Sequence, residues 1–276
     1  MAYEDVLYRV EDGVAVVTLN RPEKLNAWRT EMDRDVRAAM RAASADASVK
    51  VIVLTGAGRG FCAGADMKML TSIQADGGRE ARQGSRFASH EPWDAASNPN
   101  FQKQYSWFPA VPKPIIGAVN GACAGLGMIL ALYCDLRFAS DTAKFTTAFA
   151  KRGLVAEHGI SWLLPRLVGF ANAADLLFAA ATIDAKEALR IGLVSRVIPQ
   201  AEFEGEVMVY AKRMASEVSP RSLREMKREM WNAQFQSLGS AIEAANADMP
   251  ASFVSEDFKE GVASFVEKRA PKFTGR

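Results

Sequence analysis

Ile115-Ile116-Gly117-Ala118-Val119-Asn120-Gly121, running on into Ala124-Gly125-Leu126-Gly127, is the stretch on which the fold turns. Five apolar or small residues in a row read as a short strand covered on both faces. Asn120 to Gly125 then turns tightly, and a helix is predicted from about Leu126 to Tyr133. Upstream, Val51-Ile52-Val53-Leu54-Thr55 leads into Phe61-Cys62-Ala63-Gly64-Ala65-Asp66-Met67 with the same design of buried strand, small residues and helix start. Glycine lets the backbone turn sharply and lets a ligand approach it closely. The unpaired N–H groups at a helix N-terminus face such a ligand. Two of them converging on one oxygen would polarise a carbonyl and hold the negative charge that develops on it.

Outward from these two segments, the chain alternates strand and helix first and becomes helical later. Val6 to Val10 and Val14 to Leu19 flank Asp12-Gly13 as a hairpin. A helix is predicted from Thr30, whose side chain would cap it, to about Ser44, with Met32, Val36, Ala39, Met40 and Ala43 as its apolar stripe. Val49 to Leu54 reads as a strand, Gly56 to Gly64 as a glycine-rich loop, and a short helix follows from about Ala65. Residues 74 to 108 have little periodicity but hold Trp93, Phe101, Tyr105, Trp107 and Phe108. They read either as a substrate-shaping loop or as an excursion whose aromatics cover a core edge. Leu136 to Ala139 is a further strand. Helices are predicted over Ala185 to Ile191 and Glu202 to Val218, then from Ser219-Pro220 to about Gln236 and onward from the cap Ser255. The expected division is a core of residues 1–198 and a helical part of residues 199–276.

Composition narrows the class. The 276 residues are 49% hydrophobic and 24% charged, with a net charge of +2, too small to argue for nucleic acid or membrane. Cys62, Cys123 and Cys134 have no metal or redox spacing, and two histidines, His90 and His158, make a multi-histidine metal site unlikely in residue count alone. The acidic start is wrong for a signal peptide, and no apolar run approaches the roughly 20 residues of a membrane helix. These features lead to an expectation of a cytoplasmic protein with no metal.

The two glycine segments resemble the signature regions of the crotonase (enoyl-CoA hydratase/isomerase) superfamily. Asn20-Arg21-Pro22 with Leu25-Asn26-Ala27, Pro112-Lys113-Pro114, Cys134-Asp135, Ala185 to Val197 and Glu256 to Arg269 extend the resemblance over nearly the whole chain. It implies an α/β fold, a spiral of ββα units with a helical C-terminal trimerisation domain, assembled as a homotrimer or a dimer of trimers. It implies oxyanion donors at the N–H groups of Ala65 and Leu126. The substrate would be an acyl-CoA thioester, so coenzyme A is part of the substrate and no cofactor is needed. Its nucleotide and pantetheine would lie along Lys24, Ala27, Ala63, Asp66, Met67 and Lys68, with Phe265 and Lys268 of the last helix closing over them. Lysines at that rim suit the phosphates, although each also reads as an ordinary solvated residue.

The same resemblance puts two glutamates in hydratases at places held here by Ile129 and Phe149, which cannot move protons. Gly153-Leu154-Val155-Ala156-Glu157-His158-Gly159 instead resembles the Δ3-Δ2-enoyl-CoA isomerase branch, in which a single acid stands at the Glu157 position. Burial against Leu126, Ile129, Phe149 and Trp162 would raise its pKa. His158 beside it is expected to point outward or serve structure. Asp135 is expected to anchor structure and Asp66 to cap a helix, while His90, Glu91 and Asp94 are alternative acids or bases. Met69, Met128, Phe149 and Trp162 suggest an apolar pocket. Competing readings are a hydratase with a different acid/base set, an enolate-forming C–C hydrolase or decarboxylase, and an RNA-binding module using Arg221, Arg224, Lys227 and Arg228.

Overall fold

The computed structural model describes residues 3–77 and 92–276; His90 and Glu91 lie outside the described residues. The hairpin strands β1 (Val6–Glu11) and β2 (Val14–Leu19) pair antiparallel. They open a six-stranded sheet that continues with β3 (Val51–Gly56), β5 (Ile115–Val119), β7 (Leu136–Ser140) and β10 (Arg196–Ile198), all added in parallel. A second, four-stranded sheet takes β4 (Gly60–Cys62), β6 (Ala122–Ala124), β8 (Lys144–Thr146) and β9 (Ile183–Asp184) in that order. Each turn of chain therefore lays one strand in the large sheet and the next in the small one. Helices α2 (Met67–Ala75) and α3 (Leu126–Tyr133) complete two of these turns. This is the spiral of ββα units expected from the sequence.

The apolar runs have a simple cause. Ala15, Val17, Ile52, Leu54, Ile115 and Val119 face a core between the sheet, the small sheet and helix α1 (Thr30–Ala45). Val14, Val16, Val51, Val53, Ile116 and Ala118 face the opposite side. There helix α7 (Phe203–Glu217) covers them with Phe203, Val207, Met208 and Ala211. A strand buried on both faces has no polar alternation to show. Because α7 packs on the sheet, it belongs physically with the strands, and a cut at 198/199 would separate two parts of one core.

Helices α4 (Ile160–Val168), α5 (Phe170–Phe178) and α6 (Ala185–Arg190) follow β8, and α8 (Pro220–Ala233), α9 (Leu238–Phe253) and α10 (Glu256–Glu267) end the chain. Ser219 and Ser255 cap α8 and α10 as expected, accepting from the N–H groups of Ser222 (3.1 Å) and Phe258 (3.0 Å). Thr30 does not cap α1. Extended Arg29 holds that place without a side-chain cap bond, since its guanidinium is a donor only, and it bonds Asp5 at 2.6 and 2.8 Å instead.

Asp135 ties the C-terminal helices to the sheet. It accepts from Ile115 N (2.7 Å) and from Trp231 Nε1 (2.7 Å), and pairs with Lys227 Nζ (2.8 Å). Lys227 is 6% exposed and also donates to Lys113 O (3.0 Å). Asp135→Ala strands that ammonium without its counter-charge. The expected loss is about 3–5 kcal/mol of unfolding free energy, read by urea denaturation. The basic face of α8 is thus no free stripe. Lys227 is buried, Arg224 pairs with Glu225 (3.0 Å), Arg228 with Asp248 (2.6 Å), and Arg221 donates to Ser252 (2.8 Å). The observation that had suggested an RNA-binding module is removed by these partners.

Candidate active site

Strands β4 and β6 lie side by side in parallel with Cys62 in register with Cys123. The sequence repeats itself there: Cys62-Ala63-Gly64-Ala65 beside Cys123-Ala124-Gly125-Leu126. Gly64 (φ 99°) and Gly125 (φ 49°) both adopt left-handed backbone that favours glycine. The two turns touch, since a Cβ on Gly64 would stand 3.0 Å from Ala124 O and 3.7 Å from Leu126 N. Just beyond them come the two N–H groups of interest. Trp28 N donates to Gly64 O (2.7 Å) and Asp66 N donates to Trp28 O (2.8 Å). Backbone direction alternates along an extended chain, so the N–H of Ala65 faces away from Trp28. Leu126 is the first residue of α3, where an N–H has no partner in the helix. Among the described residues no acceptor takes either hydrogen.

The rim residues Lys24, Ala27, Ala63, Asp66, Met67 and Lys68 come together through the loop from Arg21 to Trp28. Ala63 N donates to Leu25 O (2.9 Å), and Arg21 bridges Ala27 O (2.6 Å) and the Asp66 carboxylate (2.9 Å). Asp66 caps α2 by accepting from Lys68 N (2.9 Å). That hydrogen bond and Arg21 hold its carboxyl below the usual range. Lys24, Met67 and Lys68 are exposed. Phe265 and Lys268 sit instead with the C-terminal segment. Phe265, 85% exposed, borders a hollow of about 450 Å³ with Phe273, and Lys268 ends α10 in a left-handed conformation.

Buried Asn26 was missed by sequence reasoning except as part of a motif. Its side chain accepts from Arg21 N (2.8 Å) and donates to Ala57 O (2.9 Å) and Gly60 O (2.7 Å), and Asn120 donates to Gly58 O (2.9 Å) from the other side. The two amides hold the loop that feeds β4.

A cavity of about 870 Å³ opens beside Glu157. Tyr133, His158, Trp162, Trp231 and Phe235 give it ring-bearing walls. Glu157 is the one carboxyl among its described lining residues. Its side chain is about one-third exposed (36%), and burial of the rest raises its pKa. Ile129, Met128 and Phe149 are themselves buried in the core, and of the four suggested pocket residues Trp162 alone is among the described residues that line this cavity.

His158 faces inward, which leaves the structural of its two expected roles, outward or structural. It has left-handed backbone (φ 52°), and Tyr133 Oη donates to its carbonyl (2.9 Å). This turns the imidazole edge-on to Tyr105 (4.8 Å, 88°), with Nε2 3.5 Å from Glu157 Oε2. Burial pushes its pKa down to about 4, so the ring is neutral near pH 7. The unfolded chain takes up a proton below its ordinary 6.5 while the folded chain does not. Stability from this group is therefore complete above pH 6.5 and lost as pH falls towards about 4. His158→Phe is expected to flatten that acid loss, as read from thermal melts across this range.

Tyr105 joins the two halves of the site. Its ring stands edge-on to Trp28 (5.9 Å) as well as to His158, and its backbone is left-handed (φ 62°). The described residues of the aromatic stretch before Pro112 divide between core and cavity wall. Trp93, Trp107 and Phe108 are core, while Phe101, Gln104 and Ser106 line the cavity. Asp94 turns its own loop, accepting from Ala96 N (2.8 Å).

A family model described as enoyl-CoA hydratase/isomerase matches residues 9–276. The chain belongs to the enoyl-CoA hydratase/isomerase family. This hydratase/isomerase-family enzyme is similar to a Rhodobacter capsulatus protein named "Probable enoyl-CoA hydratase", at 36% identity over 100% of both chains. It is 33% identical to the 1,2-epoxyphenylacetyl-CoA isomerase of Escherichia coli, over 99% of both. The crystal structure of an enoyl-CoA hydratase from Bacillus anthracis superposes with a TM-score of 0.87 at 26% identity, covering 99% of this chain and 100% of that one. Among the described residues of the family member, no group of three His, Cys, Asp or Glu could hold a metal, and no helix is long and apolar enough to cross a membrane.

Proposed function

We propose that the enzyme shifts the double bond of an enoyl-CoA thioester, with Glu157 as its single acid/base. The observation that carries this reading is that Glu157 is the one carboxyl on the described wall of the cavity. As carboxylate, Glu157 takes a proton from C2 of a 3-enoyl thioester. The electron pair moves into the carbonyl, and the N–H groups of Ala65 and Leu126 stabilise the enolate oxygen. The same carboxyl returns the proton at C4, giving the 2-enoyl thioester with no net consumption of water. Coenzyme A lies along Lys24, Ala27, Ala63, Asp66, Met67 and Lys68 as part of the substrate. The presence of Ile129 and Phe149 where hydratases of this family carry glutamates supports the one-acid reading.

The neutral His158 beside Glu157 favours one further reading, addition of water by that pair in place of the usual glutamates. Incubation with 3-enoyl and 2-enoyl thioesters in deuterated, ¹⁸O-labelled water separates the two. Deuterium at C2 or C4 without ¹⁸O is the expected result. Incorporated ¹⁸O with no bond migration would replace isomerisation by hydration.

A further inference from the structure

We infer that the cavity beside Glu157 takes an acyl group built on a ring that bears an oxygen substituent, in preference to a flexible straight chain. This rests on the reading above that the acyl part of a thioester enters this cavity. The walls are flat and braced. Trp162 and Phe235 stack at 4.8 Å and 7° from parallel, and Arg166 backs Trp162 at 3.9 Å. Phe101 stands edge-on to Phe235 (5.9 Å) and to Trp231 (6.1 Å), and Trp231 is fixed by its bond to Asp135 (2.7 Å). Walls locked to one another in this way do not close around a thin chain, and about 870 Å³ is far more than a short one fills. A straight chain must also freeze each of its torsions on entry, whereas a ring arrives with them frozen and offers faces and edges to the aromatic walls.

The oxygen substituent is argued from Gln104. Its Nε2 donates to Tyr105 Oη (3.1 Å), and its Oε1 is shut off from water without any hydrogen-bond partner. Gln104 borders the cavity. A buried amide end left unmatched costs stability, and a ligand hydroxyl donating to Oε1, or a keto oxygen accepting from Nε2 with the amide turned, would supply a partner.

Calorimetric titration with saturated coenzyme A thioesters, which have no double bond to shift, tests this separately from the reaction. Cyclohexylacetyl-CoA and octanoyl-CoA have equal carbon counts, and the cyclic one is expected to bind at least about tenfold more tightly. A 4-hydroxy or 4-oxo group on the ring is expected to tighten binding further by about fivefold, and the better of the two tells which way the amide is used. Trp162→Leu and Phe235→Leu should abolish the ring advantage while keeping octanoyl-CoA affinity, and Gln104→Leu should abolish only the oxygen increment. Phe235 is 42% exposed, so its variant decides if Trp162→Leu fails to fold. Equal or tighter binding of octanoyl-CoA, or equal loss of both ligands in the Phe235 variant, overturns the inference. If no thioester binds, it falls together with the proposed reaction. If the ring is preferred but no deuterium is incorporated, the inference stands and the proposed reaction falls.

Discussion

Replacing Glu157 by glutamine is expected to slow both double-bond migration and deuterium uptake at C2 by about 10²–10⁴-fold, the usual span for loss of a positioned acid/base. Glutamine keeps the shape and a hydrogen-bonding end but cannot accept the C2 proton. The half-buried carboxyl leaves a neutral isostere at no disadvantage to folding, so thermal stability is expected to hold or rise. Thioester affinity should change little, placing the loss in kcat and leaving KM nearly unmoved. The pH dependence has a fixed sign. The base works ionised, and burial raises its pKa above 4.5, so the acid limb of kcat lies above that value and vanishes with the carboxyl. A variant retaining most of its deuterium uptake would remove Glu157 from the chemistry.

Leu126→Pro is expected to lower turnover by about 10²–10³-fold through loss of a single N–H, comparable to removal of one oxyanion donor elsewhere. Proline is an uncommon choice for a helical residue, yet the geometry admits it. Leu126 is the first residue of α3, where proline fits the helix and its missing hydrogen breaks no intrahelical bond. Gly125 precedes it with φ 49° and ψ −114°, outside the right-handed helical region that a following proline disfavours. Circular dichroism should therefore report a folded protein while isomerisation collapses. Leu126→Ala supplies the control, since it shortens the side chain and keeps the hydrogen, and its turnover should stay far closer to that of the parent chain.

The strands and the glycine turns were legible because each depends on local chemistry. A residue such as Gly125 must be glycine for the backbone to turn, and Ile115 to Val119 must be apolar throughout because both faces are covered. The acid was legible by resemblance alone, since nothing in the spacing of Glu157 marks it as facing a cavity. The far wall was not legible. Trp231 and Phe235 come from the end of a helix about 75 residues beyond Glu157, brought near by the Asp135 and Lys227 linkage that no periodicity encodes. The inward direction of His158 was not legible for a similar reason. Its direction follows from a hydroxyl donated by Tyr133 and a ring offered by Tyr105, both distant in sequence. The cap of α1 was placed one residue late: Thr30 is a suitable residue but is already the first residue of the helix, behind Arg29.

The repeated Cys-Ala-Gly turns, locked in register by neighbouring strands, have an evolutionary consequence. On the proposed reaction main-chain hydrogens do the polarising, so a change of side chain at position 65 or 126, proline excepted, leaves the reactive geometry in place. On that reading a change of chemistry falls to the opposite wall, where exchanging one carboxyl or one ring redirects the fate of the same proposed intermediate.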